Sequence, residues 1–249
     1  MRIPRAFAGT AKSGARCELQ GDQFHHLVRV LRRAPGDPLI VLDGRGGEFH
    51  AVVESVDPAR GILAVQVGEP LARTSPVIAP LAVACGLPRG DGFEVAIRWA
   101  SEMGLGRIVP ILTRRCTVRI PLGEGAAGKL ERWRRIARES AEQCRRSVPL
   151  AVDAPCDFNA LLARSALFEA RWIAVPGGLD FEASGLLEAL GAGGGELLVV
   201  VGPEGGFDPE EIAAAQKSGL RPLGFPTPVL RTPTAVAYLA ALASMAPWV

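Results

Sequence analysis

The stretch Leu197-Leu198-Val199-Val200-Val201-Gly202-Pro203-Glu204-Gly205-Gly206-Phe207-Asp208-Pro209-Glu210-Glu211-Ile212 decides the fold. Its aliphatic run is too short to span a bilayer and, followed by turn residues, reads as a buried strand. The helix behind it is specified by its start. Asp208 stands at the N-cap, Pro209 at the first helical position and Glu211 three residues after the cap, while Phe207 and Ile212 occupy the positions of a hydrophobic staple. Gly219 is placed to end the helix. Gly202 to Gly206 must then be a tight, backbone-exposing loop at the carboxyl end of a strand, where open α/β sheets bind ligands.

Outward from this unit, strands and helices alternate. Strands are expected over Leu81 to Cys85, Arg107 to Leu112 and Trp172 to Val175, and helices over Phe93 to Met103, Leu130 to Arg145 and from Pro233 onward. Such alternation predicts a largely parallel sheet covered on both faces. Gly191 to Gly195 precedes a strand rather than following one and reads as a turn. Residues 1–70 differ. Pro38 to Leu42, Glu48 to Val56 and Ile62 to Val67 are short strands separated by glycine-rich turns, which predicts a small β-barrel or sandwich. Glu69 to Pro80 carries three prolines and no apolar period, which marks residues 71–80 as the linker and leaves 81–249 as the α/β domain.

Composition narrows the classes. Hydrophobic residues make up 48% of 249, enough for a full core. Cys17, Cys85, Cys116, Cys144 and Cys156 are odd in number and form no Cys-x-x-Cys pair, which argues against a disulfide framework or a zinc site and for a reducing cytosol. No signal-like or membrane-spanning run is visible, so a soluble cytoplasmic protein is expected. Net charge is only +2, but lysine stands only at 12, 129 and 217. The positive charge is therefore almost all arginine, whose planar fork suits phosphates and base edges; heat tolerance or codon preference would leave the same bias.

Two familiar ligands are excluded at the glycine loop. A phosphate-binding P-loop ends Gly-Lys-Ser/Thr, whereas this loop ends Gly206-Phe207-Asp208, and the spacing of a dinucleotide fingerprint is absent too. A second turn-rich segment follows at Leu223-Gly224-Phe225-Pro226-Thr227-Pro228-Val229-Leu230-Arg231-Thr232-Pro233. Thr232 can cap the last helix and Pro233 can open it. Arg231 is then a cation at a helix start, a placement that opposes the helix dipole and suits either an anionic partner or a salt bridge.

At these residues the chain resembles the RsmE family, SPOUT-class methyltransferases of uridine N3 in 16S ribosomal RNA. His25-His26-Leu27-Val28-Arg29-Val30-Leu31-Arg32 with Pro35-Gly36-Asp37 is similar to the family's first motif, in a PUA-like RNA-binding barrel. Leu87-Pro88-Arg89-Gly90-Asp91, Ala100-Ser101-Glu102-Met103-Gly104 and Glu142-Gln143-Cys144-Arg145-Arg146 resemble its middle motifs, Gly202 to Phe207 matches without change, and Val229 to Thr232 resembles "ILRT". One departure stands out: Pro233 replaces the glutamate of the family's "RTETA".

The resemblance implies an α/β SPOUT domain with a C-terminal deep trefoil knot, a PUA-like β-barrel before it, and a homodimer. It implies S-adenosylmethionine held by Val201, Gly202, Glu204, Gly205, Leu223, Gly224 and Leu230, with no metal. Arg231 and Glu204 are the catalytic candidates, and Arg2, Arg5, His25, Arg29, Arg32, Arg89 and Arg146 the candidate RNA contacts. The implied partner is 16S ribosomal RNA within an assembled small subunit. Read by themselves, adjacent histidines before an apolar run ordinarily comprise one packed and one solvent-facing side chain, and Arg132, Arg135 and Arg138 are first a solvated helix face opposite Leu130, Trp133, Ile136 and Ala141. Two other functions compete: a catalytically silent RNA-binding protein, motivated by the lost glutamate, and a methyltransferase of another RNA base or of transfer RNA.

Overall fold

The computed structural model describes residues 3–71, 79–175, 183–225 and 227–245. The chain divides into two compact units, Met1–Pro76 with Ala141–Pro149, and Val77–Ser140 with Leu150–Val249. The first unit thus takes in a segment that the linear reading gave to the second. Most of the expected linker, 72–78, lies outside the described residues, as does Arg2.

In the first unit β1 (Arg5–Phe7), β2 (Arg16–Leu19), β3 (Pro38–Leu42), β4 (Glu48–Asp57) and β5 (Ile62–Pro70) form one sheet in the order β1-β3-β4-β5-β2. β1 and β2 are its edges and do not pair with each other, so the small barrel or sandwich expected takes the form of a curled half-barrel. Its core face follows from the two-residue period of a strand. Ala51 and Val53 are buried while His50, Val52 and Glu54 face out, and Val41, Leu63 and Val65 join the same cluster. Helix α1 (Gly21–Phe24) continues into a wider π-type turn, His25–Val30, and buries Phe24 and Leu27 on that cluster.

In the second unit β6 (Ala79–Gly86), β7 (Leu105–Leu112), β8 (Ala151–Val152), β10 (Arg171–Ala174), β11 (Leu197–Val201) and β12 (Arg221–Leu223) lie in the order β12-β10-β11-β6-β7-β8, with β9 (Cys156–Asp157) on β7. All these ladders are parallel. All of β11 is buried, and its residues divide by parity: Leu197, Val199 and Val201 enter one core, Leu198 and Val200 the other. Burial of each such aliphatic side chain contributes roughly 1.5–3 kcal/mol. Sequence reading found β11 but not β8, β9, β12, α4 (Phe158–Arg164) or α5 (Ala183–Gly191), whose strands are too short for a period to register.

Helix α2 (Gly92–Glu102) follows β6, α3 (Ala127–Cys144) follows β7, and α6 (Pro209–Lys217) follows β11. The chain reaches the sheet edge at β12 and then returns, placing α7 (Thr232–Met245) against α2 and β6. β6 and β11 are neighbours whose onward connections go to opposite sides, β6 toward β7 and β11 toward β12. Their carboxyl ends are therefore a switch point of the sheet, where a crevice opens for ligands. Among the described residues no helix is long and apolar enough to cross a membrane.

Candidate active site

The start of α6 is built as its residues dictate. Asp208 caps through its side chain, and Glu211 returns a carboxylate oxygen to the Asp208 N–H at 2.9 Å, completing the capping box. Phe207 is buried with Ile212 packed on the same cluster, and Gly219 ends the helix with φ +80° while the Leu220 N–H reaches the Ala215 carbonyl. Glu211 also reaches beyond its own helix, because its other oxygen accepts the Arg114 N–H at 2.8 Å, and the residue is only 6% exposed. The loop after β7 is thereby stapled to the loop after β11. Arg114 adds side-chain bonds to Asp208 at 3.3 Å and Glu210 at 2.6 Å, and Arg115 Nη1 donates to the Gly205 carbonyl at 3.2 Å. Sequence reading missed this support, although two arginines just past a strand end, after Thr113, were its visible signal.

The glycine loop itself is closely packed. The Gly206 N–H closes a turn on the Pro203 carbonyl at 2.8 Å, and Gly206 has φ +68°. A side chain on Gly86, the last residue of β6, would place its Cβ 2.6 Å from the nitrogen of Pro203, so the ends of β6 and β11 meet backbone to backbone. Glu204 is exposed and accepts the Arg89 N–H at 3.1 Å, joining the loops after β6 and β11, while Arg89 Nε donates to Thr117 at 3.1 Å. Burial in this crowded strand end, aided by Cys116 and Glu204, pushes the Cys85 thiol pKa well above its ordinary value, so Cys85 is inert packing.

The second loop meets the first through Thr232. Its buried hydroxyl donates to the Gly202 carbonyl at 2.9 Å. The expectation that Thr232 caps α7 is corrected: the Arg231 carbonyl accepts the Ala235 N–H at 2.9 Å, so Arg231 holds the cap position and Thr232 is the first helical residue. Arg231 is exposed and has no ion pair among the described residues, so the alternative salt bridge is not formed there. Val201, Gly202, Leu223 and Gly224 are buried, Leu230 packs half-buried on the larger core, and Phe225 stacks edge-on with Tyr238 at 5.3 Å between centroids. The backbone N–H groups of Glu204, Gly205 and Gly224 find no acceptor among the described residues. A separate cavity of about 530 Å³ is lined by Thr113, Arg119, Phe158 and Glu211, and neither loop lines it.

The expected RNA contacts divide. His25, Arg29 and Arg32 are exposed on the first unit, and so is His26, so neither histidine is packed. Arg5 bonds its guanidinium to Glu48, whose side chain is 1% exposed. Arg146 differs from the other expected contacts in being buried, at 3% exposure, and burial lowers its pKa despite an opposing effect of Cys144. Arg132 and Arg138 pair with Glu94 and Glu131, as a solvated helix face does. Among the described residues no group of three His, Cys, Asp or Glu side chains could hold a metal ion.

This architecture has close counterparts. Residues 74–244 match the RNA methyltransferase domain family, and residues 19–65 match the RNA methyltransferase PUA domain family. Fold and site thus define an enzyme of the RNA methyltransferase class with a PUA-like domain. The ribosomal RNA small subunit methyltransferase E of Mycobacterium bovis is 34% identical, covering 90% of this chain and 84% of its own. That of Synechocystis is 33% identical, covering 86% and 67%. A Legionella pneumophila structure in complex with the bound cofactor SAM is 27% identical with a TM-score of 0.84, covering 97% of each chain. The chain belongs to the ribosomal RNA small subunit methyltransferase E family.

Proposed function

We propose that this protein methylates N3 of a uridine in 16S ribosomal RNA, using S-adenosylmethionine. The observation that carries the reading is the bond from Thr232 to Gly202, which joins two turn-rich loops at the crevice between β6 and β11. The residues fit the donor: glycines leave backbone exposed, the N–H groups of Glu204, Gly205 and Gly224 are available, and Val201, Leu223 and Leu230 supply apolar surface. When bound, S-adenosylmethionine supplies a methyl group activated on a sulfonium. The protein's part is to align the uridine nitrogen and to stabilise negative charge as the N3 proton leaves. Arg231 supplies that stabilisation, because a guanidinium at a helix start with no carboxylate partner among the described residues is placed for an anionic substrate. Glu204 acts by holding Arg89 beside the donor loop.

The return of the chain from β12 past the Gly202 loop to α7 supports a trefoil knot, and the active enzyme is a cytoplasmic homodimer acting on an assembled small subunit. His25, Arg29 and Arg32 of the first unit and Arg89 of the second contact the RNA. Mass spectrometry of ribosomal RNA from a strain lacking the protein tests the reading: one 3-methyluridine should disappear from 16S RNA and return on complementation. Loss of a different methylated base, or of one in transfer RNA, points to the other enzymatic function. An unchanged RNA with intact RNA binding points to a silent binding protein.

A further inference from the structure

Gly205 and Gly206 are adjacent, and a peptide between two glycines turns over more freely than any other, because no Cβ on either side resists the rotation. Here that peptide is gripped from both sides. Its N–H, on Gly206, reaches the Pro203 carbonyl at 2.8 Å and closes the turn, while its carbonyl, on Gly205, accepts a bond from Arg115 Nη1 at 3.2 Å. The peptide is trans, so the two groups point opposite ways and rotation of the plane breaks both bonds together. The turn bond comes with the shape of the loop. The second bond depends on one side chain.

Arg115 is held in place from several directions. Before it, buried Glu211 takes the Arg114 N–H at 2.8 Å, and after it, Cys116 is buried and its N–H returns to the Thr113 carbonyl at 3.2 Å. Arg119 closes the loop on itself, donating to the Thr113 and Arg114 carbonyls at 3.0 and 3.1 Å. The two loops touch, since a Cβ on Gly205 would lie 3.2 Å from that of Arg115. The other arm of the guanidinium, Nη2, stands 3.8 Å from Asp208, the cap of α6. The fork thus spans the loop carbonyl and the helix cap from a backbone that is already fixed, so little further freedom is lost in making the bond.

We propose that Arg115 is a positioning residue for the methyl donor. By holding the Gly205 carbonyl it keeps the peptide in the orientation of the closed turn, in which the N–H groups of Glu204 and Gly205 are left for acceptor atoms of S-adenosylmethionine. The proposal rests on the donor site proposed above and gives Arg115 no contact with the donor. A loop that spends part of its time turned over binds with its affinity reduced by the competent fraction.

Alanine and lysine variants of the full-length protein test it. In calorimetry without RNA, Arg115→Ala should weaken S-adenosylmethionine binding by about tenfold, while turnover on RNA at saturating donor stays within about twofold of the parent. The sign is informative, because the donor carries a sulfonium and loss of a nearby cation would by charge alone strengthen binding. Arg115→Lys keeps a donor for the carbonyl and should bind within about threefold of the parent. Hydrogen exchange at the Gly206 N–H, measured without donor, should be about tenfold faster in the alanine variant only. Arg115 is exposed, so the thermal midpoints of all three proteins should agree within about 2 °C. Parental donor affinity in Arg115→Ala, or unchanged exchange at Gly206, overturns the proposal. So does an equal loss of affinity in both variants with a lowered thermal midpoint, the mark of a packing role. A parent protein that binds no S-adenosylmethionine defeats the donor site as well, and that result is read before any variant is compared.

Discussion

Thr232 donates its buried hydroxyl to the carbonyl oxygen of Gly202 at 2.9 Å, across thirty residues of chain. One hydrogen bond thus fixes the start of the last helix to the loop after the central strand, and the two segments that would enclose a methyl donor form one structure.

Replacement of that hydroxyl by a methyl group in Thr232→Val keeps the shape and leaves the Gly202 carbonyl without its donor. The variant should lose about 1–3 kcal/mol in urea unfolding, the cost of an unsatisfied buried acceptor, while Thr232→Ser stays near the parent. Calorimetry should show weaker donor binding for valine only. Equal unfolding midpoints for all three proteins would mean that the bond does not hold the loop.

Glu211 offers a second test of loop support. Its two oxygens take the N–H groups of Asp208 and Arg114, so Glu211→Gln puts an amide NH₂ against one of two backbone donors. A loss of roughly 1–3 kcal/mol is expected. Urea unfolding of the variant at neutral pH measures it, and a change under about 0.5 kcal/mol, the range of an ordinary surface substitution, would refute the staple.

The glycines should respond unequally to added side chains. Gly86→Ala places Cβ 2.6 Å from backbone and ring atoms of Pro203, which cannot yield as a flexible side chain does, so overpacking should cost about 1–3 kcal/mol. Gly128 in α3 has nothing within 4 Å, and Gly128→Ala should be neutral or stabilise by up to about 1 kcal/mol. At Gly205 the added Cβ meets Arg115 at 3.2 Å, and Gly205→Val should abolish donor binding by forcing the loop off Arg115. A folded Gly205→Val protein with the parent's affinity for S-adenosylmethionine would place the pocket elsewhere.

Arg231→Ala should leave donor affinity nearly intact and lower turnover by roughly 10²-fold or more, as loss of a preorganised charge does. Arg231→Lys should recover part of the rate, since a point charge lacks the guanidinium fork. Unchanged turnover at saturating RNA would remove Arg231 from the chemistry, and lost donor binding would make it a loop residue.

Much of the site was legible because its signals are local. The cap, proline, staple and terminal glycine around 207–219 specify one helix, and that helix defines the loop before it. Arg231 at a helix start was legible for the same reason. Thr232 was misread because a threonine before proline caps helices in most settings, whereas here a carbonyl thirty residues upstream lies within reach of its hydroxyl.

Arg5 and Arg146 show the limit most clearly. In sequence both are basic residues that could meet RNA, and only folding shows that Glu48 pairs with one and the interior encloses the other. The sequence by itself determined the strand and helix alternation, the glycine loop and the family, because periodicity, capping and turn chemistry act over a few neighbouring residues. Tertiary structure alone decided the open edge of the first sheet, the meeting of Gly86 with Pro203, the staple through Glu211, and the burial of Arg146. Those depend on which distant segments occupy the same space, and burial and hydrogen-bond partners exist only once they do.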